Sequence, residues 1–323
     1  MSLNRRRFLS ASALAGTWSL LSPHARALGA NDEVRVCVIG FNSRGKAHIE
    51  GILKSKGARL VALCDIDPEV LNKQADALAK QNVVVAKYDD YRKVCEAKDI
   101  DAVVIATPNH THCLIAMTAA ANGKHVYVEK PVSHNVWEGR RLAEAQEKHK
   151  VVIQHGFQRR SETCWEEAID WIKAGNIGKM TLARGFCYKP RPSIGKVTAP
   201  TPIAPGVNYD LWCGPREVKP LMRAKLHYDW HWQGAYGNGD LGNQGPHQLD
   251  VARWGLGNPG LPKRVMSFGG RWGYKDDGET ANNQMAFYQY AEGAPLLFDN
   301  RGLPMKDMNW TKGLEPVFRI NGK

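Results

Sequence analysis

The sequence predicts an α/β chain in two parts, a doubly wound parallel sheet over residues 33–157 and a second, α+β unit over residues 158–323. Two observations carry this. Short apolar runs alternate with helical stretches at the spacing that right-handed parallel crossovers need, and the central runs are apolar throughout, as strands covered on both faces must be. After Gln158-Arg159-Arg160 that alternation stops. A chain of 323 residues ordinarily makes two domains.

In the first part, strands are expected over 34–39, 59–64, 83–86, 102–106, 125–128 and 151–154, and helices over 44–53, 68–80, 110–122 and 136–149. Pro68 suits a first helical turn, where its missing N–H has no intrahelical partner. Gly40-Phe41-Asn42-Ser43-Arg44-Gly45 reads G-x-G-x-x-G with Asn42 at the middle glycine. It leaves a strand and opens a helix whose first amides can hold a pyrophosphate. Asn tolerates left-handed backbone better than other non-glycine residues, so the departure is mild. About twenty residues after the last glycine, Asp65 ends the next strand, where a carboxylate accepts ribose hydroxyls and repels a 2′-phosphate. The reading is a Rossmann domain that binds NAD in preference to NADP, with Gly40, Asn42, Ser43, Arg44, Gly45 and Asp65 at the cofactor. The competing reading makes Asp65 only a cap on the following turn.

In the second part, residues 162–174 read as an amphipathic helix closed by Gly175, and 180–188, 265–273, 284–290 and 295–300 as strands. Residues 190–220 are rich in proline, which fits a long ordered loop over an active site or at a subunit contact. Asp210, Trp212, His227, Tyr228, Trp230, His231, Trp232 and Tyr236 bring aromatic faces beside hydrogen-bonding groups, a mixture suited to a carbohydrate or cyclitol ring; strand packing collects tryptophans nearly as well. His227/His231 and His110/His112 lie close in sequence, but no Asp, Glu or Cys completes a set at ligand spacing, so no metal is expected. The seven cysteines include no C-x-x-C pair, and Cys37 and Cys64 fall in expected strands, which argues against a disulfide framework or a zinc site.

The N-terminus carries its own message. Asn4-Arg5-Arg6-Arg7-Phe8-Leu9-Ser10 precedes a weakly apolar stretch over 11–21, and Ala25-Arg26-Ala27 has the small-x-small pattern of a cleavage site. That order of regions predicts a twin-arginine export signal over 1–27, cleaved after Ala27, with a periplasmic or otherwise extracytoplasmic mature protein. An amphipathic helix or an uncleaved anchor is the alternative. The apolar run is too short to span a bilayer, so no membrane span is expected after cleavage. Removing 1–27 takes away four arginines and no acid, lowering the formal net charge of +12 by four. The remainder shows no basic block suited to a nucleic-acid track.

Three motifs then point to a family. Ala106-Thr107-Pro108-Asn109-His110-Thr111-His112 follows the fourth strand, Glu129-Lys130-Pro131 the fifth, and Gly245-Pro246-His247-Gln248-Leu249-Asp250 lies far downstream. From about Val34 to its end the chain resembles the Gfo/Idh/MocA oxidoreductases, most of all the exported members with a twin-arginine signal. The resemblance implies an open, mostly antiparallel C-terminal sheet, one face over the cofactor and the other often against a partner subunit, hence a homo-oligomer. It places Thr107, Pro108, Asn109, His112, Glu129 and Lys130 at the cofactor, and Arg159, Trp232, Tyr236, Asn243 and His247 at the substrate. Lys130 resembles the lysine that touches both substrate hydroxyl and nicotinamide, and His247 the acid/base histidine. Where the family usually has an aspartate four residues before this histidine, the chain has Asn243, which cannot take a proton; Asp240 and Asp250 are the nearby carboxylates. Most relatives continue beyond the position of Lys323, so the second sheet is expected to be short or truncated.

Together these readings predict an NAD-dependent oxidoreductase acting on a sugar or cyclitol hydroxyl, with tightly bound cofactor. Two rivals stand beside it: a redox-neutral glycosidase or lyase that oxidises a ring carbon transiently, and a cofactor-binding protein without catalysis.

Overall fold

The computed structural model describes residues 33–303. The expected export signal at 1–27 and the chain from 304 to Lys323 lie outside the described residues.

Six strands form a parallel sheet: β1 (Val34–Ile39), β2 (Ala58–Cys64), β3 (Ala86–Tyr88), β4 (Ala102–Ile105), β5 (His125–Glu129) and β6 (Ile153–Gly156), in spatial order β3-β2-β1-β4-β5-β6. The order reverses direction between β1 and β4. That switch opens a crevice at the carboxyl ends of the strands, where α/β sheets bind ligands. The crossover helices are α1 (Gly45–Lys54), α2 (Pro68–Ala79), α3 (Tyr91–Glu96), α4 (Asn109–Ala121) and α5 (Val136–His149). They divide the apolar core between the two sheet faces. Cys37, Ile39, Val103 and Val128 pack on one side with Cys113 and Ala116 of α4, and Val36, Val38, Leu60 and Leu63 on the other with Ile49 of α1 and Leu71 of α2.

Most expected elements form within one or two residues of their anticipated ends. Three differences have physical causes. The third strand begins at Ala86 rather than 83, because Asn82 turns left-handed (φ 59°) and Val84 stays 87% exposed; pairing with β2 starts where Ala86 lies opposite Ala62. The sixth strand begins at Ile153, where pairing with Val126 starts, rather than 151. Helix α3 was not anticipated, although Asp90 marks its start by accepting the Arg92 amide at 2.8 Å.

The second layer is a four-stranded mixed sheet, β7 (Ala183–Cys187), β8 (Arg264–Gly270), β9 (Asn283–Gln289) and β10 (Leu296–Arg301), in order β7-β10-β9-β8. β7 and β10 run parallel and the other pairs antiparallel. The strand expected over 180–188 shrinks to β7. Three further helices, α6 (Thr163–Lys173), α7 (Tyr209–Cys213) and α8 (Gly239–Asn243), lead to α9 (Gly245–Gly255), which lies across β7 and β10. The approach is close: a Cβ on Gly185 would sit 3.0 Å from the Gln248 carbonyl oxygen, and a Cβ on Gly245 would touch Phe298 at 3.5 Å. This packing places the start of α9, with His247, over the crevice of the first sheet. All seven cysteines are free, and among the described residues no helix is long and apolar enough to cross a membrane.

Candidate active site

The turn after β1 needs two of its glycines. Gly40 is left-handed (φ 79°), and a Cβ there would meet Thr107 Cγ2 at 2.7 Å; a Cβ on Gly45 would lie 2.2 Å from the Gly40 carbonyl oxygen. Asn42 needs no such licence. The positive-φ residues other than glycine among those described are Asn82, Lys150, Tyr228 and Asn258, so left-handed tolerance does not explain Asn42. Helix α1 begins at Gly45 with no capping bond from the Arg44 side chain and no acid in its first turn. Its positive end is therefore uncapped, and residues 40–44 just before it line the cavity, as an anion site requires.

Asp65 closes one end of that crevice. Its carboxylate accepts the Phe41 amide at 3.3 Å and the Asp67 amide at 3.1 Å, and burial lifts it to about 6 despite those bonds. The cap on the following helix is Asp67, which accepts the Glu69 and Val70 amides. That leaves the remaining Asp65 lone pairs for the cavity.

At the other end, β5 delivers Glu129 and Lys130. Burial opposes ionisation of Glu129, yet hydrogen bonds from His48 at 2.8 Å and Arg44 at 2.9 Å, with Gln158 at 2.6 Å, hold it at about 2. The Lys130–Pro131 peptide is cis. Lys130 Nζ donates to the Asn243 carbonyl at 2.7 Å and to Asn243 Oδ1 at 3.1 Å, and burial pushes the ammonium below its ordinary range. His112 bridges the Pro131 and Thr107 carbonyls, each at 2.7 Å. Both its ring nitrogens are thus occupied in joining the 107 turn to the lysine turn.

His247 enters from the first turn of α9. Burial, with Lys130 and Arg159 nearby, lowers it to about 4, and its Nδ1 has no hydrogen-bond partner among the described residues. Neither nearby carboxylate serves it. Asp240 is wholly buried in a two-point bond to Arg191 at 2.6 and 2.9 Å, and Asp250 grips Arg160 at 2.7 and 2.8 Å.

One cavity of about 710 Å³ joins these groups, a size ordinary for cofactor sites. It is lined by Gly40, Asn42, Ser43, Arg44 and Asp65, by Thr107, Pro108, Asn109, His112, Glu129 and Lys130, and by Arg159, Asn243 and His247. Gly45 stands just behind, shaping the turn.

Trp232 and Tyr236, expected at the substrate, do not line it. Trp232 is 2% exposed with the Arg191 and Arg271 guanidiniums 5.6 and 5.7 Å from its ring, and Tyr236 packs on Trp212 at 4.7 Å and His110 at 5.0 Å. Both are core. Their neighbours Tyr228, Trp230 and His231 face the cavity instead. Gln158, Tyr91 and Glu162 also line it and carried no local signal, because folding alone brings them there. His227 pairs with Asp67 at 3.0 Å rather than with His231. Among the described residues no cluster of His, Cys, Asp or Glu could hold a metal ion.

The glycine turn, the free positive end of α1 and the buried Asp65 acceptor fit a nicotinamide dinucleotide. The fold and cavity thus define a two-domain, NAD-binding protein of the oxidoreductase type. Residues 34–157 match the oxidoreductase family with NAD-binding Rossmann fold, and residues 216–303 match the GFO/IDH/MocA C-terminal domain. The chain belongs to the GFO/IDH/MocA family of oxidoreductases. It is 36% identical over 155 residues to scyllo-inositol 2-dehydrogenase (NAD(+)) of Bacillus subtilis, covering 48% of this chain and 44% of that one. It is 30% identical to a glycosyl hydrolase family 109 protein of Shewanella woodyi, covering 46% of this chain and 32% of that one. The chain therefore matches less than half the length of these curated relatives. The WlbA dehydrogenase of Bordetella pertussis, solved with NADH and UDP-GlcNAcA, shares the fold with a TM-score of 0.66 at 21% identity, over 85% of this chain and 72% of that one.

Proposed function

We propose that the protein oxidises a secondary hydroxyl of a sugar or cyclitol with an NAD that it retains. The observation that carries this is Lys130, its ammonium fixed by Asn243 at the carboxyl end of β5, in the same cavity as the dinucleotide turn and His247. When bound, the nicotinamide supplies the hydride acceptor. Lys130 donates a hydrogen bond to the substrate oxygen and stabilises the alkoxide that develops there. His247, neutral because burial holds it at about 4, accepts the hydroxyl proton at a ring nitrogen as the carbonyl forms. Asn243 positions Lys130 and takes no proton. Arg159, exposed and paired with Glu162 at 2.7 Å, sits at the cavity edge to meet substrate oxygens. The inositol dehydrogenase relatives support a polyol substrate.

The twin arginine at Arg5-Arg6 supports export of the folded, loaded protein, and an exported enzyme has little free NAD to draw on. This favours a second reading, a redox-neutral glycosidase or lyase in which hydride leaves and returns within one cycle; the likeness to a glycosyl hydrolase family 109 protein favours it too. The outer face of the second sheet exposes Phe268 (70%), Met266 (53%) and Phe186 (37%), a patch suited to a second copy of the chain.

Mass spectrometry of unsupplemented protein, followed by a sugar and cyclitol panel with and without added NAD, tests the reading. Co-purified NAD and turnover without added cofactor are expected. Empty protein that makes stoichiometric NADH only from added NAD overturns retention. Inactivity on every polyol overturns the substrate class.

A further inference from the structure

The cavity has a second wall, contributed by a segment of the other domain. Residues 206–231 leave the proline-rich loop, form α7 and return across the crevice, lining it with Leu211, Trp212, His227, Tyr228, Trp230 and His231. Midway the segment is fixed to the first domain, with His110 Nε2 2.7 Å from the Trp212 carbonyl oxygen, Gly214 against Thr111 and Arg216 beside His134 and Glu138; its two ends meet the three residues after Asp65. The Asn208 amide donates to the Ile66 carbonyl at 3.3 Å, and the left-handed Gly206 lies so close to Pro68 that a Cβ would fall 2.9 Å from the proline ring. His227 Nε2 meets Asp67 Oδ2 at 3.0 Å, and Ile66 packs in a cluster with Tyr209, Leu226 and Trp230.

The segment is stiff on its own side. Arg223, 1% exposed, donates to the Lys225 and Leu226 carbonyls at 3.0 Å and to Gln233 Oε1 at 2.8 Å, and its guanidinium lies 4.5 Å from the Trp212 ring centroid. Beside the contact with Asp67 the backbone is strained. Tyr228 has φ 72° and ψ −51°, and the Asp229 amide donates to the His227 carbonyl at 3.0 Å, which makes a γ-turn of the disfavoured hand. Such a turn persists only while its surroundings hold it, here His227 on Asp67 and the Tyr228 hydroxyl on Arg191 at 3.1 Å.

We propose that residues 206–231 form a strap over the cofactor, latched on Ile66, Asp67 and Pro68, whose unlatching gates dinucleotide exchange. The inference rests on the dinucleotide reading of the cavity and gives retention of the cofactor a physical cause. A gate differs from a simple wall. Weakening a latch that does not itself bind the cofactor speeds entry and exit together, whereas losing a contact to the cofactor speeds exit alone.

The test is stopped-flow NADH fluorescence on the full chain, stripped of nucleotide and reloaded, comparing wild type with His227→Ala and Leu226→Ala. Leu226 packs on the same Trp212, Cys213 and Tyr236 cluster as Ile66 and does not line the cavity, whereas His227 does, so the Leu226 variant decides between gate and lost contact. Both variants are expected to raise association and dissociation rates by about fivefold, the size of one modest contact, with Kd shifted by less than about twofold. Unchanged rates in both variants, or faster dissociation with unchanged association, overturn the gate. Absence of NADH binding by the wild type overturns the cofactor reading and the strap with it, an outcome distinct from altered rates.

Discussion

Replacing Asp65 with asparagine changes one atom's charge at the adenosine end of the cavity. In the structure this carboxylate is 9% exposed and holds only two backbone amides, at 3.1 and 3.3 Å, so its other lone pairs are available to a ribose diol. Hydrogen bonds to a charged acceptor contribute about 1.5–3 kcal/mol each, and the two lost here share one group, so about 2–4 kcal/mol is at stake. NAD affinity is therefore expected to fall by roughly one and a half to three orders of magnitude. NADP affinity should fall far less or rise, because the variant no longer repels a 2′-phosphate. Burial lifts the carboxyl to about 6, and ribose binds its ionised form, so wild-type Kd should rise as pH falls through about 6 and the variant should lose that dependence. The same shift predicts a gain in apo stability. The folded-state value lies above the unfolded one, so ionisation destabilises the fold as pH rises from about 4 to 6, by up to about 3 kcal/mol above that window. Relative to wild type the variant should then gain stability as pH rises from about 4 to 8, offset at every pH by the one backbone N–H, of Phe41 or Asp67, that its NH2 cannot accept. Isothermal titration with both nucleotides across pH 5–8, with thermal melts, checks this. An unchanged NAD-to-NADP ratio would refute the ribose role.

Lys130→Met is expected to lower kcat by about 10³ or more on a substrate found in the polyol panel, while NADH Kd in fluorescence titration stays within about fivefold. Arg191→Leu leaves Asp240 charged and alone in the core and should cost about 3–5 kcal/mol in denaturant unfolding, because the pair is buried on both sides. We propose the outer face of the second sheet as a subunit contact, so Phe268→Glu there should lower the mass measured by analytical ultracentrifugation to that of a single chain; a wild type that already runs as a single chain, or a variant of unchanged mass, would refute that contact. Arg5→Lys with Arg6→Lys should hold the protein in the cytoplasm on fractionation, and equal export of the variant would exclude the twin-arginine route.

The parallel sheet was legible because its signals are local. Apolar runs such as Val34–Ile39, the glycines at 40 and 45, and an acid at the next strand end are each demanded by backbone geometry within a few residues. Strand ends were less legible, since the start of β3 depends on where Ala86 meets Ala62 across the sheet. The role of Asn243 was half legible: its amide was visibly unable to relay a proton, but its two bonds to Lys130 span 113 residues of sequence.

By itself, then, the sequence determined the Rossmann domain and the glycine turn, and it singled out Asp65, Lys130 and His247 as candidates that the fold brings to one cavity, because each follows from local backbone rules or from a motif at a strand or helix end. Tertiary structure alone decided which aromatics are core and which face the cavity. Trp230 and Trp232 are two residues apart with the same chemistry, yet Trp232 lies buried beside Arg191 and Arg271 while Trp230 lines the cavity. It likewise withdrew Asp240 and Asp250 from the site, since partners supplied by distant segments, Arg191 and Arg160, satisfy both charges. Burial and ion pairing are properties of the packed chain, and no spacing along the sequence encodes them.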